Sequence, residues 1–177
     1  MSTSPVVIRT ARLLLRPLET GDARWIAEGI ADWEVIRWLP SPPWPFGLRD
    51  AEAFVAGAVS SGARGILAEG QGIGVIHING ANDLGYWLSR PWHGRGLMTE
   101  AARAVVADHF ARGGAGLVSG YIHGNAASCN VLTKVGFRET HTETRPSRPL
   151  GSDVTLVRMA LPAPASPDAY SLKAREK

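Results

Sequence analysis

The sequence predicts a mixed α/β (α+β) domain, one sheet with helices on its faces. Three observations predict it. β-rich stretches and helix-period stretches alternate along the chain. Three of the β-rich stretches follow one another across very short turns, as in an antiparallel meander. The order that results is strand, helices, three-strand meander, helix, strand, helix and two strands, about seven strands in all.

Each element has its own signal. "VVIRTARLLLRPL" (Val6 to Leu18) is β-rich and predicts the first strand. Thr20 or Asp22 can cap a helix in which Trp25, Ile26, Ile30 and Trp33 recur at helical spacing. "WEVIRWL" continues as a short second helix, and the prolines of "PSPPWPFG" end it. "RDAEAFVAGAVSSG" predicts a third helix, with Phe54, Val55, Ala58 and Val59 on one side. "GILAEG", "IGVIHI" and "LGYWLS" form the meander. Thr99 to Arg112 predicts a helix ending at Gly113-Gly114, and "GLVSGYIH" a strand. "NAASCNVLTKVG" is a short helix with Gly136 as its C-terminal cap. "FRETHTETR" and "SDVTLVRMAL" are the closing strands.

The 177 residues suffice for one domain with a full core, expected over 1–162. Residues 163–177, rich in Pro and Ala and then charged, read as a tail. No apolar run approaches the roughly 18 residues a membrane span needs, and the N-terminus is not expected to be a signal peptide. The single cysteine, Cys129, precludes an internal disulfide framework and a cysteine-based zinc cluster. It points to a reducing, cytoplasmic compartment. No metal is expected. Net charge is +3, with basic residues scattered and nearly all arginine, which hints at a GC-rich bacterial source. No basic run or RNA-binding signature appears, so a nucleic-acid partner is not expected. The balance suits an anionic small ligand.

The sharpest local feature is "RPWHGRGLMTEAAR" (Arg90 to Arg103). Gly94 and Gly96 stand where a strand ends and a helix begins. The first turn of a helix leaves about four N–H groups without internal partners, and its dipole favours negative charge. Glycines let a phosphate approach the backbone, and Arg95 can add a charged contact. A P-loop is excluded because Leu97-Met98-Thr99 follows Gly96. A dinucleotide fingerprint is excluded because Thr99 occupies the place of its third glycine. From these residues alone a structural turn remains an equal reading.

"W-x-x-G-R-G-x-M-T-E-A" is followed after a strand by "N-x-x-S-x-N-V-L-x-K-V-G-F", that is Asn125, Ser128, Asn130, Leu132, Lys134, Gly136 and Phe137. This order resembles the GNAT N-acetyltransferase superfamily. "TARLLLRPLETGDA" and "DLGYWLS" are similar to its RimJ/RimL-like, ribosomal-protein N-acetyltransferase branch. The resemblance runs from about Arg9 to Leu161. It implies a twisted, mostly antiparallel sheet with a central, splayed parallel pair of strands. It implies an enzyme that moves an acetyl group from acetyl-CoA to a primary amine, in a ternary complex. The acceptor is a protein N-terminus or a small molecule. A catalytically silent CoA-binding module is the alternative. A homodimer is common in the branch.

By the same resemblance, Trp87, Leu88 and Ser89 pair with pantetheine through backbone groups, and one N–H meets the thioester carbonyl. His93, Gly94, Arg95, Gly96, Leu97, Met98 and Thr99 wrap the diphosphate, with His93 where the family usually has Gln or Arg. Asn125 and Ser128 line the other side. Ser128 is the expected donor to the leaving thiolate, with a plain helix-start role as its competitor. Asp83 is the candidate base, against a turn-forming role. Tyr121 is the candidate acid, against core packing. His77 is expected to be a satisfied buried histidine, and Cys129 a small buried residue, since direct transfer needs no covalent enzyme intermediate. Trp33, Trp38 and Trp44 are expected in the core, with an apolar acceptor slot as the other reading. Arg138, Arg145 and Arg148 are expected as surface charges.

Overall fold

The computed structural model describes residues 7–166 and 169–170. Val6 of the expected first strand and most of the tail beyond 166 lie outside that range.

The first β-rich stretch is two strands. β1 (Ile8–Arg9) and β2 (Leu14–Pro17) pair antiparallel, Ile8 opposite Leu15. Between them Thr10 N–H donates to Leu13 C=O at 3.0 Å, and Leu13 N–H donates to Thr10 Oγ1 at 3.0 Å. A threonine that bonds its own neighbourhood turns the chain where composition alone reads as continuous strand.

After a 3-10 turn (Thr20–Asp22) come α1 (Ala23–Ile30) and α2 (Trp33–Ile36). Periodicity carried the first helix on to Trp33. It stops at Ile30 instead, because Asp32 starts a new helix by accepting from Glu34 N–H at 2.9 Å. Asp22 does not cap α1 through its side chain. Its carboxylate accepts from both terminal nitrogens of Arg16 at 2.8 Å, from Glu19 N–H at 2.7 Å and from Trp25 Nε1–H at 2.8 Å. This buried knot ties β2 to α1. In α3 (Leu48–Ser61), Ala51, Val55 and Ala58 are buried, while Phe54 turns outward; the side chain of Val59 is outside what is described.

β3 (Arg64–Ala68), β4 (Gln71–Ile78) and β5 (Leu84–Leu88) form the meander, and the first sheet has the order β1-β2-β3-β4-β5. α4 (Leu97–Ala111) follows, then β6 (Leu117–Ile122), α5 (Ala126–Val135), β7 (Arg138–Ser147) and β8 (Ser152–Leu161). The last three strands make a second antiparallel sheet, β6-β8-β7.

β5 and β6 are the parallel pair. A single bridge, Asp83 to Val118, joins the two sheets. Val118 N–H donates to Asn82 C=O at 2.9 Å, and Ser119 Oγ–H donates to Leu84 C=O at 2.7 Å. Beyond these contacts no ladder connects the pair, and a gap opens toward Leu88 and Ile122. The splayed pair thus divides the expected single sheet into two, and the broken first strand raises the count from about seven to eight.

Apolar side chains cover both faces. Leu84 and Leu88 point to a core shared with Leu97, Ala101 and Val105 of α4 and Leu132 of α5. Val75 and Trp87 point to the opposite core with Ile26 of α1 and Val55 of α3. Tyr170, in the expected tail, joins the first core. It donates to Val135 C=O at 2.9 Å and meets Phe110 edge-on, with ring centroids 5.5 Å apart.

Candidate functional site at the open end of the splayed pair

The gap ends where β5 gives way to the glycine loop. Gly94 and Gly96 both have φ of 73°. A Cβ at Gly94 would meet open space, so backbone conformation, not crowding, demands glycine there. Gly96 caps the 15-residue α4. Among the described residues, the N–H groups of Gly94 through Thr99 donate to no carbonyl or side chain. These amides converge on an exposed turn at the positive end of a helix dipole. That is the donor set a diphosphate requires.

The loop is braced from behind. Arg12 donates to Arg95 C=O at 2.9 Å, and its Nε donates to Glu100 Oε2 at 2.7 Å. Thr10 Oγ1–H donates to Glu100 Oε1 at 2.6 Å. Burial raises the Glu100 pKa, but hydrogen bonds from Thr10 and Arg12 outweigh it and hold the carboxyl below its ordinary value. The Arg95 guanidinium lies 5.0 Å from the Trp92 ring centroid, beside the exposed amides. His93 Nε2 lies 2.8 Å from Leu88 C=O, so this side chain ties the loop to β5 and does not extend into it.

The ladder decides which β5 groups face the gap. Ser89 N–H donates to Ile73 C=O of β4 at 2.8 Å, and Trp87 stands opposite Val75. In an antiparallel pair hydrogen-bonded positions alternate, so Trp87 and Ser89 turn their backbone to β4, and Tyr86 and Leu88 turn theirs to the gap. Of the three residues expected to pair with pantetheine, Leu88 turns its backbone groups to the gap and Trp87 and Ser89 turn theirs to β4. The Ser89 side chain packs against Gly29 of α1.

Across the gap, Asn125 caps α5 by accepting from Ser128 N–H at 3.1 Å. The cap role is therefore Asn125's, which leaves the Ser128 hydroxyl for another partner. That partner is Tyr86, whose Oη lies 2.9 Å from Ser128 Oγ. Burial pushes the Tyr86 phenol up to about 12, so it keeps its proton. Tyr86 lies within "DLGYWLS", but nothing in that stretch tells its hydroxyl apart from a packed tyrosine.

Other candidates lie elsewhere. Asp83 stands at the closed end of the pair, bonded to Arg158 Nη2 at 2.8 Å. Five residue steps along the strand, about 17 Å, separate it from Leu88. Asp83, the expected base, thus stands away from the open end of the gap. Tyr121, the expected acid, donates a hydrogen bond to Glu139 Oε1 at 2.6 Å. Its pKa is raised by hydrogen bonding to Cys129 and Glu139. Cys129 is half-buried beside it. His77 is half-buried toward the closed end; burial lowers its pKa, partly opposed by Asp83.

A cleft of about 380 Å³ opens at the end of β6. Trp33, Arg37 and Trp38 form one wall, Ile122 and His123 the floor, and Leu150, Val154 and Thr155 the other wall. The tryptophans are not core: Trp33 is 36% and Trp44 42% exposed, and their ring centroids are 5.1 Å apart. Arg37 lies 4.6 Å over the Trp38 ring. Arg148 N–H donates to Pro40 C=O at 2.9 Å and its Nη1 to Ser41 C=O at 3.2 Å, pinning the β7–β8 turn to the proline-rich loop. Arg145 pairs with Glu143 at 3.0 Å, and Arg138 is exposed. His123 was not singled out by sequence; a lone histidine at a strand end has no signature until its neighbours are known. Among the described residues no group of three or more His, Cys, Asp or Glu could hold a metal, and no helix is long and apolar enough to cross a membrane.

The fold is shared with solved structures. Mycobacterium smegmatis RimJ in complex with CoA-disulfide aligns at 23% identity over 97% of this chain and 95% of that one, TM-score 0.80. A GNAT-family acetyltransferase from Bacillus anthracis aligns at 20% identity over 89% and 99%, TM-score 0.79. The Salmonella typhimurium acetyltransferase that modifies the N-terminal serine of ribosomal protein L7/L12 aligns at 17% over 89% and 99%, TM-score 0.77. No curated protein matches the chain. The model of the acetyltransferase (GNAT) domain matches residues 12–138, most of the chain and all of the glycine loop. The protein is an acetyltransferase of the GNAT family.

Proposed function

We propose that the protein transfers an acetyl group from acetyl-CoA to a primary amine by direct attack in a ternary complex. The unpartnered amides of Gly94 to Thr99, at the start of α4 beside a gap in the sheet, carry this reading. They fit the diphosphate of CoA, with Arg95 adding a cation at the rim. The gap fits the pantetheine arm. Tyr86 and Leu88 face it with backbone groups from one side, and Asn125 and Ser128 close the other.

Acetyl-CoA supplies the activated thioester. The chain's residues supply the rest. The Leu88 N–H is aimed into the gap, where negative charge builds on the carbonyl oxygen. The amine nitrogen bonds to the carbonyl carbon as the carbon–sulfur bond breaks, and the sulfur leaves with the electron pair. Tyr86, kept protonated by burial, holds the Ser128 hydroxyl at 2.9 Å and donates to Ser128 C=O at 3.3 Å. Ser128 Oγ–H is placed to donate a hydrogen bond to the departing sulfur, and the proton that the amine releases neutralises the thiolate. An amine must lose a proton to attack. His123, on the floor of the acceptor cleft, takes it directly or through water, in the role expected of Asp83. Holding both substrates at the open end of the splayed pair supplies much of the acceleration.

The acceptor is a protein N-terminus or a small amine, and the setting is cytoplasmic. A thiol-release assay across amines and peptides tests the reaction. Free CoA is expected only when a suitable amine is present. Stabilisation by CoA without turnover on any acceptor would mean a silent CoA-binding module instead.

A further inference from the structure

We infer that the cleft at the end of β6 selects an acceptor whose primary amine is carried on an aromatic or aliphatic body, with no second positive charge. The inference rests on the transfer reaction proposed above and names the acceptor class of that same site.

Position comes first. Ile122 ends β6 at the mouth of the gap, His123 follows it, and both line the cleft. A ligand there lies where an incoming amine must stand.

Shape and polarity come next. Trp33, Trp38, Ile122 and Leu150 supply apolar wall. The exposed Trp33–Trp44 pair sits on its rim. Exposed indoles in contact are an apolar surface without a cover, and a flat or branched apolar group covers them. A volume of about 380 Å³ is at the small end of ligand sites, enough for a single amino acid or its equivalent.

Charge narrows the class. No carboxylate lines the cleft, and Arg37 is its charged side chain. Of the acidic groups next in sequence to the lining, Glu34 lies 3.6 Å from Arg37 and Asp32 lies 3.7 Å from Arg90, while Asp153, beside Val154, is exposed and does not line the cleft. A polyamine or aminoglycoside would bring several ammonium groups against a guanidinium with nothing to receive them. An acceptor with one amine and a neutral or anionic remainder meets no such opposition. Free amines and peptide N-termini share this chemistry, and the test separates them.

Rates of CoA release are compared for phenylethylamine, a peptide of phenylalanine followed by glutamates, spermidine and kanamycin. At least one of the first two is expected to exceed both polycations about 100-fold in kcat/KM, and the better of the two names the source. Trp33→Ala should raise KM for the preferred acceptor about tenfold with kcat and the heat shift by CoA unchanged. Arg37→Glu should improve spermidine relative to it. A preference for either polycation, or an unmoved KM in Trp33→Ala, overturns the assignment. Tryptophan fluorescence reads the cleft without turnover: saturable quenching by phenylethylamine, weakened in Trp33→Ala, supports the assignment, and tighter binding of spermidine overturns it. Absence of CoA release with every amine sinks the reaction itself, whatever the titration shows.

Discussion

Tyr86 and Ser128, 42 residues apart in sequence, place their hydroxyl oxygens 2.9 Å apart across the gap between β5 and α5. The pair predicts a split between chemistry and binding. Ser128→Ala should lower kcat about 100-fold, within the range general acids contribute. Tyr86→Phe, which removes only the supporting proton, should lose about tenfold. Both should keep CoA affinity within a few-fold by calorimetry. An equal loss of kcat and CoA binding in Ser128→Ala would assign that hydroxyl to binding alone.

Gly96→Ala tests the loop. A side chain at φ of 73° costs about 1–2 kcal/mol of conformational energy. The variant should melt a few degrees lower and show a smaller heat shift with CoA. A full CoA shift in the variant would take the diphosphate away from these amides.

His123→Ala should reduce kcat at least tenfold, and added imidazole should restore part of it. The combination matters, because a structural role would not be rescued by a small base. Asp83→Asn should leave kcat near wild type while weakening the join between the sheets, measurable as a lower Tm.

Asp22 predicts acid sensitivity. Burial raises its pKa, but hydrogen bonds from Arg16, the Glu19 amide and Trp25 outweigh that and hold the carboxyl below its ordinary value. A depressed folded pKa contributes stability above the unfolded value of about 4, and that stability is lost as pH falls through the folded pKa. Stability should therefore decline below about pH 4. Asp22→Asn strands Arg16 and should cost about 3 kcal/mol at neutral pH, with a flatter acid limb in urea titrations.

Tyr170 binds a segment beyond the last strand to the core. Tyr170→Ala should cost about 3 kcal/mol and Tyr170→Phe about 1 kcal/mol, read as shifts in the denaturant midpoint. No change in either would make the contact incidental.

The glycine loop ahead of α4 and the short helix α5 with its Gly136 cap were legible in the sequence because each is local: the residues that shape them are neighbours, and spacing alone displays them. The meander was legible for the same reason. What escaped was set at a distance. The expected base, Asp83, is claimed by Arg158, 75 residues later. Tyr121 is claimed by Glu139 from β7. Trp87 and Ser89 differ from Leu88 only by ladder parity, which pairing with β4 decides. The helix-start role that competed for Ser128 belongs to Asn125, because an asparagine three residues earlier reaches the Ser128 N–H. The break at Thr10 and the second helix start at Asp32 are side-chain hydrogen bonds that hydrophobic periodicity does not see.

One bridge, Asp83 to Val118, is all the ladder that β5 and β6 share. On that side the Leu88 C=O meets His93, and the N–H groups of Tyr86 and Leu88 have no ladder partner. A narrow polar ligand that enters alongside them does the work of an absent strand, completing a sheet the polypeptide leaves unfinished. Cofactor capture and mechanical continuity between the two halves are then a single event, and the empty enzyme should flex about that rivet more freely than the loaded one.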